Sequence, residues 1–381
     1  MRKVIKRSAA ILFLLIATAF FTYEIQDLFF NFVGNEPLRL KSFYLEDANS
    51  LDMVVIGSSE INLGYSAPQV YKETSITSYP YSFSVNPVPL WKYELADIER
   101  YQSPSLIVIE INGAIYSEDK HIHSNGAFYK LVQSMPFSRN RLQLALDQSP
   151  SDDSIMSNIF PFIRYHGQWA DAFDNTYFKD RLAAKKRGYS VLKGAETPLV
   201  DEIISYDNTY PFDDATEELN PDAEAALREF LEICKEAKTP NILFIQYPHL
   251  MVSDSGYARH KRYNRAGEII KEYGFEYLDL SASAEAIGID PENDFYDSEH
   301  LNGYGQKKIS SYLGKLVKDK YDMQSKSLDN TQVSNWNLCA DYIDSFYKYY
   351  EENRDPVRIE DGDNLPNLRE SVKYMNILSN H

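Results

Sequence analysis

The sequence predicts an α/β fold with a central parallel sheet, because short apolar segments alternate with segments of helical periodicity. Three segments are typical of buried strands, LDMVVIG, SITSYPYSF and SLIVIEING, and two helix-like segments separate them, APQVYKETS and PLWKYELADIERY. A β-α-β-α-β order indicates parallel strands joined by right-handed crossovers. The alternation resumes after residue 220 with helix DAEAALREFLEICKEA, strand NILFIQYP, helix YNRAGEIIKEYG, strand FEYLDLS and helix GYGQKKISSYLGKLVKD.

This pattern divides the chain into four regions. Residues 1–23 are predicted as an N-terminal membrane helix, residues 24–50 as a connector and residues 51–320 as the α/β domain. Within that domain, residues 114–220 lack regular alternation and are predicted as a largely helical or irregular insertion. Residues 321–381 are predicted as a C-terminal extension with one helix, NLCADYIDSFYKYYEEN, followed by a polar tail.

The N-terminal segment is typical of a cleaved signal peptide or of an uncleaved signal anchor. MRKVIKR carries four basic residues, and the following AAILFLLIATAFFTY has no charge before Glu24. Basic residues ahead of an apolar segment keep the N-terminus inside and send the rest of the chain outward. The anchor is preferred because Phe20 and Phe21 prolong the apolar run beyond the ATA cleavage motif. We therefore expect a single-pass protein of the cell membrane with an extracytoplasmic domain.

The composition argues against several classes of function. The formal net charge is -17, whereas nucleic-acid binding needs clustered Lys and Arg, so no nucleic-acid partner is expected. Two cysteines, Cys234 and Cys339, are too few for a disulfide framework, and no Cys/His spacing of a zinc site is present. His121 and His123 resemble a metal pair, but no third ligand is nearby in the sequence, and an exposed loop is predicted. We expect neither a metal nor a cofactor.

A serine that follows the first predicted strand is the candidate nucleophile. In MVVIGSSEINLGYS the strand runs into Gly57, Ser58 and Ser59. Ligands of open parallel sheets bind at the carboxyl ends of the strands. Asn112 and His249 follow two other predicted strands, so they are expected at the same edge of the sheet as Ser59.

A histidine partner for this serine is found in DFYDSEHLNGYGQKK, where Asp297 and His300 stand three residues apart. A serine hydroxyl becomes an effective nucleophile when a histidine takes its proton and a carboxylate orients that histidine. The spacing lets Asp297 turn back on the imidazole, so Ser59, His300 and Asp297 are the predicted triad. Two simpler interpretations stay open: Ser59 caps the next helix, and Asp297 or Asn302 caps the last one.

Together these motifs resemble the SGNH, or GDSL-type, esterases and acyltransferases. GSSE aligns with the G-D-S-L motif of that superfamily, and DSEH aligns with its D-x-x-H motif. The membrane-anchored bacterial branch that includes the teichoic-acid D-alanylation protein is more similar, because it has G-S-S and also fits SPSLIVIEI, RYHGQW, KRGY and FYDSEHLNGYGQKK. The resemblance covers about residues 50–320. It implies a flavodoxin-like three-layer α/β/α fold with Ser59 as nucleophile, His300 as base and Asp297 as its orienter.

The resemblance also implies an oxyanion hole, and here the sequence departs from the pattern of the superfamily. The expected donors are the backbone amides of Ser59 and Ser82 and the side chain of Asn112. Superfamily members usually carry a glycine after the second strand and an aspartate after the asparagine, whereas SYPYSFSVN and EINGAIY have neither. Loss of one oxyanion donor lowers a rate by ~10²–10³-fold, so a reduced rate is expected.

Six further residues are candidate substrate contacts, because they lie near predicted strand ends or in the insertion: Glu60, Asn86, Glu110, His249, His166 and Trp169. Glu110 interrupts an apolar strand, and an unpaired buried carboxylate is costly, so it is either a site carboxylate or paired with an arginine. His249 has the alternative of a solvated loop position. His166 and Trp169 either shape an acceptor pocket or simply pack.

The function expected from these observations is that of an extracytoplasmic serine acyltransferase or esterase. The acyl group would pass to water or to a hydroxyl of a cell-envelope glycopolymer, such as a teichoic-acid-like acceptor. By the resemblance, a membrane-bound O-acyltransferase is the expected protein partner. Two alternatives remain: a plain esterase that uses water, and a non-catalytic SGNH-fold subunit that binds glycan or assembles an acylation complex.

Overall fold

The fold is built around one parallel sheet. In the computed structural model, the described residues are 2–28, 36–116, 122–170, 192–196 and 210–352. Within them, five parallel strands take the order β2-β1-β3-β4-β5, which is the predicted parallel α/β sheet. Every strand falls inside a segment that the sequence predicts as a strand. The strands are β1 (Met53–Gly57), β2 (Ser78–Ser82), β3 (Leu106–Glu110), β4 (Ile242–Gln246) and β5 (Glu276–Asp279).

The three neighbouring strands β1, β2 and β3 are buried along their whole length, which explains their continuous apolar sequences. Every residue of β1, β2 and β3 is buried. A parallel sheet is covered by helices on both faces, so it selects apolar residues at consecutive positions rather than at alternate ones. The register pairs Gly57 with Ser82 and Ile56 with Ile109, so the ends of the three strands lie side by side.

The helices form two groups that cover the sheet. Helices α4, α13 and α14 contact one another, and α10 contacts both α5 and α11. Right-handed crossovers in this strand order place the two groups on opposite faces, giving the three layers expected from the sequence. The helices are α1 (Arg2–Leu28), α2 (Glu36–Phe43), α3 (Ser59–Gly64), α4 (Ala67–Thr74), α5 (Val88–Tyr101), α6 (Asn125–Ser134), α7 (Arg139–Gln148), α8 (Asp152–Ile159), α9 (Pro161–Arg164), α10 (Pro221–Lys235), α11 (Asp254–Glu272), α12 (Ala284–Ile287), α13 (Gly303–Lys320) and α14 (Asn330–Glu352).

Two segments outside the predicted α/β domain are integral to its packing. Helix α2 lies within the segment predicted as a connector, and its Leu40 and Phe43 belong to the core. Helix α14 begins earlier than predicted and packs on α4, where the rings of Tyr71 and Trp336 stack at 5.0 Å. Both segments bury apolar side chains that would otherwise face water.

The predicted insertion is helical from α6 to α9, whereas its described residues 192–196 and 210–220 are irregular. Most of the QWADAFDN segment and the KRGY segment lie outside the described residues. At the N-terminus, α1 extends from Arg2 to Leu28. A search of the described residues finds no helix whose length and apolar character would let it cross a membrane.

Candidate active site

Ser59 is the first residue of α3 and is separated from the end of β1 by Ser58 alone. The N-cap of this helix is Ser58, whose Oγ accepts a hydrogen bond from the Glu60 amide at 3.3 Å. Ser58 therefore caps the helix, and the Ser59 hydroxyl is not used for capping. The turn depends on Gly57, because a Cβ there would lie 2.2 Å from Cγ1 of Ile61.

The structure brings the three predicted triad residues together. Ser59 Oγ lies 2.8 Å from Nε2 of His300, and Nδ1 of His300 lies 2.9 Å from both carboxylate oxygens of Asp297. Carboxylate oxygens only accept, so Nδ1 carries the hydrogen and Nε2 is left to accept the serine proton. This is the hydrogen-bonded order that activates a serine nucleophile.

A tight turn before α13 holds His300 in place. The amide of Tyr296 donates to the His300 carbonyl at 2.8 Å, and the Leu250 amide donates to the Ser298 carbonyl at 2.8 Å. Asn302, rather than Asp297, caps α13, because its Oδ1 accepts from the amides of Tyr304 and Gly305. Asp297 is thereby free to orient the imidazole.

The Asp297 carboxyl is held in its charged form. Its Oδ1 accepts from the backbone amides of Glu299 at 2.7 Å and His300 at 2.8 Å. Burial acts to raise the pKa of Asp297, but the hydrogen bond from His300, its charge and these two amides outweigh burial and lower the pKa. A negative Asp297 stabilises the imidazolium that forms when His300 takes a proton.

Asn112 lies beside the nucleophile turn, as predicted for an oxyanion donor. It begins a 3-10 turn directly after β3. Its Nδ2 donates to Ser58 Oγ at 3.1 Å, and its Oδ1 lies 3.0 Å from the Tyr263 hydroxyl. The described contacts use one of the two Nδ2 hydrogens, so the other is available for an oxyanion.

Ser82 does not fit the role of oxyanion donor predicted for it. The Phe83 amide donates to the Gly57 carbonyl, and successive amides of a strand point to opposite sides. The Ser82 amide therefore faces the open edge of β2, away from β1 and Ser59. Its hydroxyl donates to Asn62 Oδ1 at 2.6 Å. The prediction for Ser82 was wrong because it considered only the position of the residue in the sequence. It did not consider that successive amides of a strand point in alternate directions.

The loop after β2 has an unexpected backbone conformation. Val85 takes a φ of 54°, in the left-handed region that favours glycine. Valine thus occupies a backbone conformation that glycine adopts far more readily. A β-branched residue in this region is a rare outlier and costs of order 1–3 kcal/mol.

Three of the predicted substrate contacts are buried away from any surface. Glu60, Asn86 and Glu110 are exposed by 1%, 0% and 0%. Asn86 instead donates to the Gly57 carbonyl and to Glu94 Oε2, tying the β2 loop to β1. Glu110 is paired with backbone and hydroxyl donors rather than with an arginine. The substrate-contact predictions for these three residues are therefore corrected.

His249 is also largely buried, not a solvated loop residue. Its ring packs 5.2 Å from that of Tyr263, and Nδ1 lies 3.3 Å from Gln246 Nε2. Burial comes first among the causes that lower its pKa to about 3, followed by the nearby Arg259 charge. His249 is thus neutral at physiological pH, and so low a pKa makes its imidazole a weak proton acceptor.

The remaining candidates lie in the insertion. Trp169 is 41% exposed, stacks on Phe162 at 4.5 Å and donates from Nε1 to the Phe162 carbonyl. His166 contacts the Ile163 carbonyl through Nδ1. In the described part of the chain neither residue contacts the triad, so their role in binding stays a prediction.

The histidine pair considered for a metal is only half described, since His121 lies outside the described residues. His123 lines a cavity of about 330 Å³ between the N-terminal ends of α5 and α10, which includes no triad residue. Among the described residues, no group of three or more His, Cys, Asp or Glu side chains could hold a metal ion.

Sequence reasoning missed two residues beside the nucleophile. Tyr263 in α11 contacts both Glu60 and Asn112, and Ser58 joins Asn112 to Glu110. The contact of Tyr263 with Asn112 spans 151 positions in the sequence, so no local pattern could indicate it. A buried glutamate inside an apolar strand was the one available signal that a hydrogen-bond network is present.

Comparisons with known proteins give only distant likenesses. No family model matches the chain, and no curated protein matches it. Among solved structures, an acetyl-xylooligosaccharide esterase from Geobacillus and a GDSL-like lipase from Parabacteroides merdae each show 11% identity over 74% of this chain and 99% of theirs, with TM-scores of 0.34 and 0.33. A gut microbial diltiazem-metabolizing enzyme shows 10% identity over 72% of this chain and 49% of its own, with a TM-score of 0.35. Likenesses this distant assign no substrate to this chain.

Proposed function

We propose that the protein is a serine esterase or acyltransferase of the SGNH type. The observation that supports this function best is the continuous contact from Ser59 Oγ through His300 to Asp297, with separations of 2.8 and 2.9 Å. Ser59 lies 241 positions before His300 in the sequence, yet it meets His300 and Asp297 in this order at the carboxyl edge of a parallel sheet. A structural serine would not need a histidine whose other nitrogen faces a charged carboxylate.

The geometry supports a two-step acyl transfer. Nε2 of His300 accepts the proton of Ser59 while Oγ attacks the acyl carbon, and the imidazolium then returns the proton to the departing alcohol or thiol. In the second step, His300 deprotonates water or an acceptor hydroxyl, which attacks the acyl-serine and releases Ser59. The chemistry is identical for hydrolysis and transfer, so the acceptor alone separates the two.

The oxyanion would be stabilised by the Ser59 amide and by Nδ2 of Asn112. The amide of Ser59 is the first of a helix and makes no hydrogen bond to another described residue. With the Ser82 amide turned away, one expected donor is missing, and a missing donor costs ~10²–10³ in rate. We therefore expect a slow enzyme, or one whose missing donor comes from the substrate or partner.

The proposed setting is extracytoplasmic, with an O-acyl group on a cell-envelope glycan or teichoic-acid-like polymer as substrate and a membrane-bound O-acyltransferase as partner. The resemblance to the membrane-anchored SGNH branch supports this setting. Attachment to the membrane through α1 is supported by its run of exposed apolar side chains from Ile11 to Ile16 and at Phe20 and Phe21. Carbonate extraction of membranes tests this attachment, since a peripheral protein would be released.

A second candidate function is a non-catalytic SGNH-fold subunit that binds glycan or assembles an acylation complex. The observation that favours it is the orientation of the Ser82 amide, which leaves the oxyanion hole incomplete. Such a subunit would keep the fold but would have no need for an activated Ser59.

The test between the two is covalent labelling of the detergent-solubilised full chain with a fluorophosphonate, followed by intact mass and peptide mapping. We expect one adduct on Ser59, and its loss in Ser59→Ala. The control is Ser103→Ala, because Ser103 is exposed and lies before β3, at the opposite edge of the sheet. Absence of an adduct on the folded wild-type chain would favour the non-catalytic subunit.

A further inference from the structure

A chain of five polar side chains lies directly beneath the nucleophile turn. The Tyr263 hydroxyl lies 3.1 Å from Glu60 Oε1 and 3.0 Å from Asn112 Oδ1. Asn112 Nδ2 lies 3.1 Å from Ser58 Oγ, which lies 2.8 Å from Glu110 Oε2. The chain therefore begins and ends at a carboxyl group, and it runs through the predicted oxyanion donor.

Counting hydrogens shows that this chain needs one proton more than its neutral members supply. Its four contacts require four hydrogens, one for each. The Tyr263 phenol, the Ser58 hydroxyl and the Asn112 amide supply one hydrogen each, because a carboxamide oxygen only accepts. Burial is first among the causes that raise the pKa of Tyr263 well above its ordinary value, so the phenol keeps its hydrogen. The fourth hydrogen must come from a carboxylic acid at one end of the chain.

The surroundings of the two carboxyls show which one holds that proton. Glu110 Oε2 accepts from the Ser58 amide at 2.9 Å as well as from its hydroxyl, and Oε1 accepts from the Asn112 amide. Every donor aimed at Glu110 favours its charged form. Glu60 Oε2, by contrast, is buried and has no hydrogen-bond partner among the described residues. An unpartnered carboxylate oxygen is far more costly to bury than the carbonyl of a neutral acid.

Other charged groups near Glu60 do not reverse this assignment. Burial and then the charge of Glu110 raise the pKa of Glu60 well above its ordinary value, and Glu299 acts in the same direction. Arg259 acts to lower it, but Arg259 is itself paired with Glu299. Burial also raises the pKa of Glu110, although the amides of Ser58 and Asn112 oppose the rise. Glu60 is the end of the chain that binds the proton first.

We propose that Glu60 is a buried carboxylic acid whose proton fixes the orientation of the Asn112 side chain. Glu60 donates to Tyr263, Tyr263 donates to Asn112 Oδ1, and Nδ2 must then face Ser58. Moving the proton to Glu110 would reverse every hydrogen bond and rotate the carboxamide, exchanging its oxygen and nitrogen. Glu60 and Tyr263 are therefore positioning residues for the oxyanion donor, a role that rests on the proposed acyl-transfer function.

The first test compares neutral and charged replacements at the two ends of the chain. Labelling of the full chain by a fluorophosphonate should slow by ~10²-fold in Glu60→Ala, as for loss of an oxyanion donor. Glu60→Gln should restore most of the rate, because its amide can donate to Tyr263 as the acid does. Glu110→Gln should not retain most of the labelling rate, since the NH2 group of the glutamine would face either the Ser58 donors or the Asn112 amide. Equal rates in Glu60→Gln and Glu110→Gln would overturn the proposal.

The second test does not depend on activity. Infrared difference spectra of wild type and Glu60→Gln at pH 7 should contain a carboxylic-acid C=O band that belongs to Glu60, and this band should fade only as the pH is raised. Glu94 supplies a reference band in the absolute spectrum of each protein, because burial raises its pKa to about 8, and this band cancels in the difference spectra. Absence of the Glu60 band would overturn the proposal even if labelling succeeds. Its presence in a chain that resists labelling would refute the proposed function alone and leave the protonated Glu60 standing.

Discussion

Carboxyl groups on the two sides of the nucleophile turn differ in exposure, and their pKa values are shifted in opposite directions. On one side, Asp297 lies in a turn where its side chain is 24% exposed, beside a His300 side chain that is 17% exposed. On the other side, Glu60, Glu110 and Glu94 form a buried layer beneath the sheet edge, with at most 1% exposure. The pKa of Asp297 is lowered, whereas the pKa of each buried glutamate is raised.

Exposure and the number of donors explain this difference. Asp297 loses part of its hydration but gains the imidazole and two backbone amides, so its charged form is favoured. Glu60 and Glu94 lose all of their hydration and have a buried oxygen without a partner, so their neutral forms are favoured. In the proposed mechanism, the Asp297 charge that stabilises the imidazolium thus lies in a partly solvated turn. The carboxyl groups that keep their protons, Glu60 and Glu94, lie in the buried layer.

The largest expected effect comes from removing the charge in the turn. Asp297→Asn should lower the labelling rate by about 10³–10⁴-fold, because an amide facing Nδ1 favours the wrong tautomer of His300. The matched control is Glu292→Gln, an exposed carboxyl in the loop that precedes the same turn. Loss of one exposed charge should change the rate by less than about fivefold, because solvent screens it. Labelling kinetics at pH 7 measure both, and a fast Asp297→Asn variant would remove Asp297 from the triad.

The elements that sequence could predict are those with a local signature. β1, β3 and β4 are apolar runs that end in polar residues, and parallel topology places these ends at one edge of the sheet. Ser59 lies in a short motif after β1, and His300 lies in a short motif just before α13. The contact of Ser59 with His300 and Asp297 was therefore predictable from motifs, although the distances between their atoms were not.

The buried layer was not predictable, because its partners come from separate elements. The sequence around Glu60 contains nothing that indicates a contact with Tyr263. Glu60, Asn86 and Glu110 were predicted to contact substrate, but they are buried and form hydrogen bonds inside the protein. The failure at Ser82 has another cause, since one position in a strand reverses the direction of the amide. The positive φ of Val85 was also not predictable, because a valine in a sequence does not indicate a left-handed backbone conformation.

A buried acid also predicts how stability depends on pH. The pKa of Glu94 rises from 4.5 to about 8 on folding, mainly through burial and against the hydrogen bond from Asn86. Between these values the unfolded chain is ionised and the folded one is not, so stability falls as the pH rises through this window and then levels. Glu94→Gln should remove this loss, on the order of a few kcal/mol between pH 5 and pH 9.

Urea unfolding at these two pH values measures the change. The control is Glu232→Gln, because Glu232 is 61% exposed on the surface of α10 and should leave the slope of stability against pH as in the wild type. If stability depends on pH in the same way in Glu94→Gln and in the wild type, Glu94 is charged in the folded state. The difference between the carboxyl groups of the turn and those of the buried layer would then not hold for Glu94.

The smallest expected effect concerns the packing that closes the buried layer. A Cβ on Gly113 would lie 2.0 Å from the Asn86 carbonyl oxygen, which cannot move freely because it accepts from Nε1 of Trp91 at 3.1 Å. Gly113→Ala should therefore lower the free energy of unfolding by about 1–3 kcal/mol. Gly167 in the insertion has no atom within 4 Å of such a Cβ, so Gly167→Ala should change it by less than about 0.5 kcal/mol. Equal stability of the two variants would mean that the loops beneath the nucleophile can separate, and a layer that opens to water could not keep Glu60 protonated.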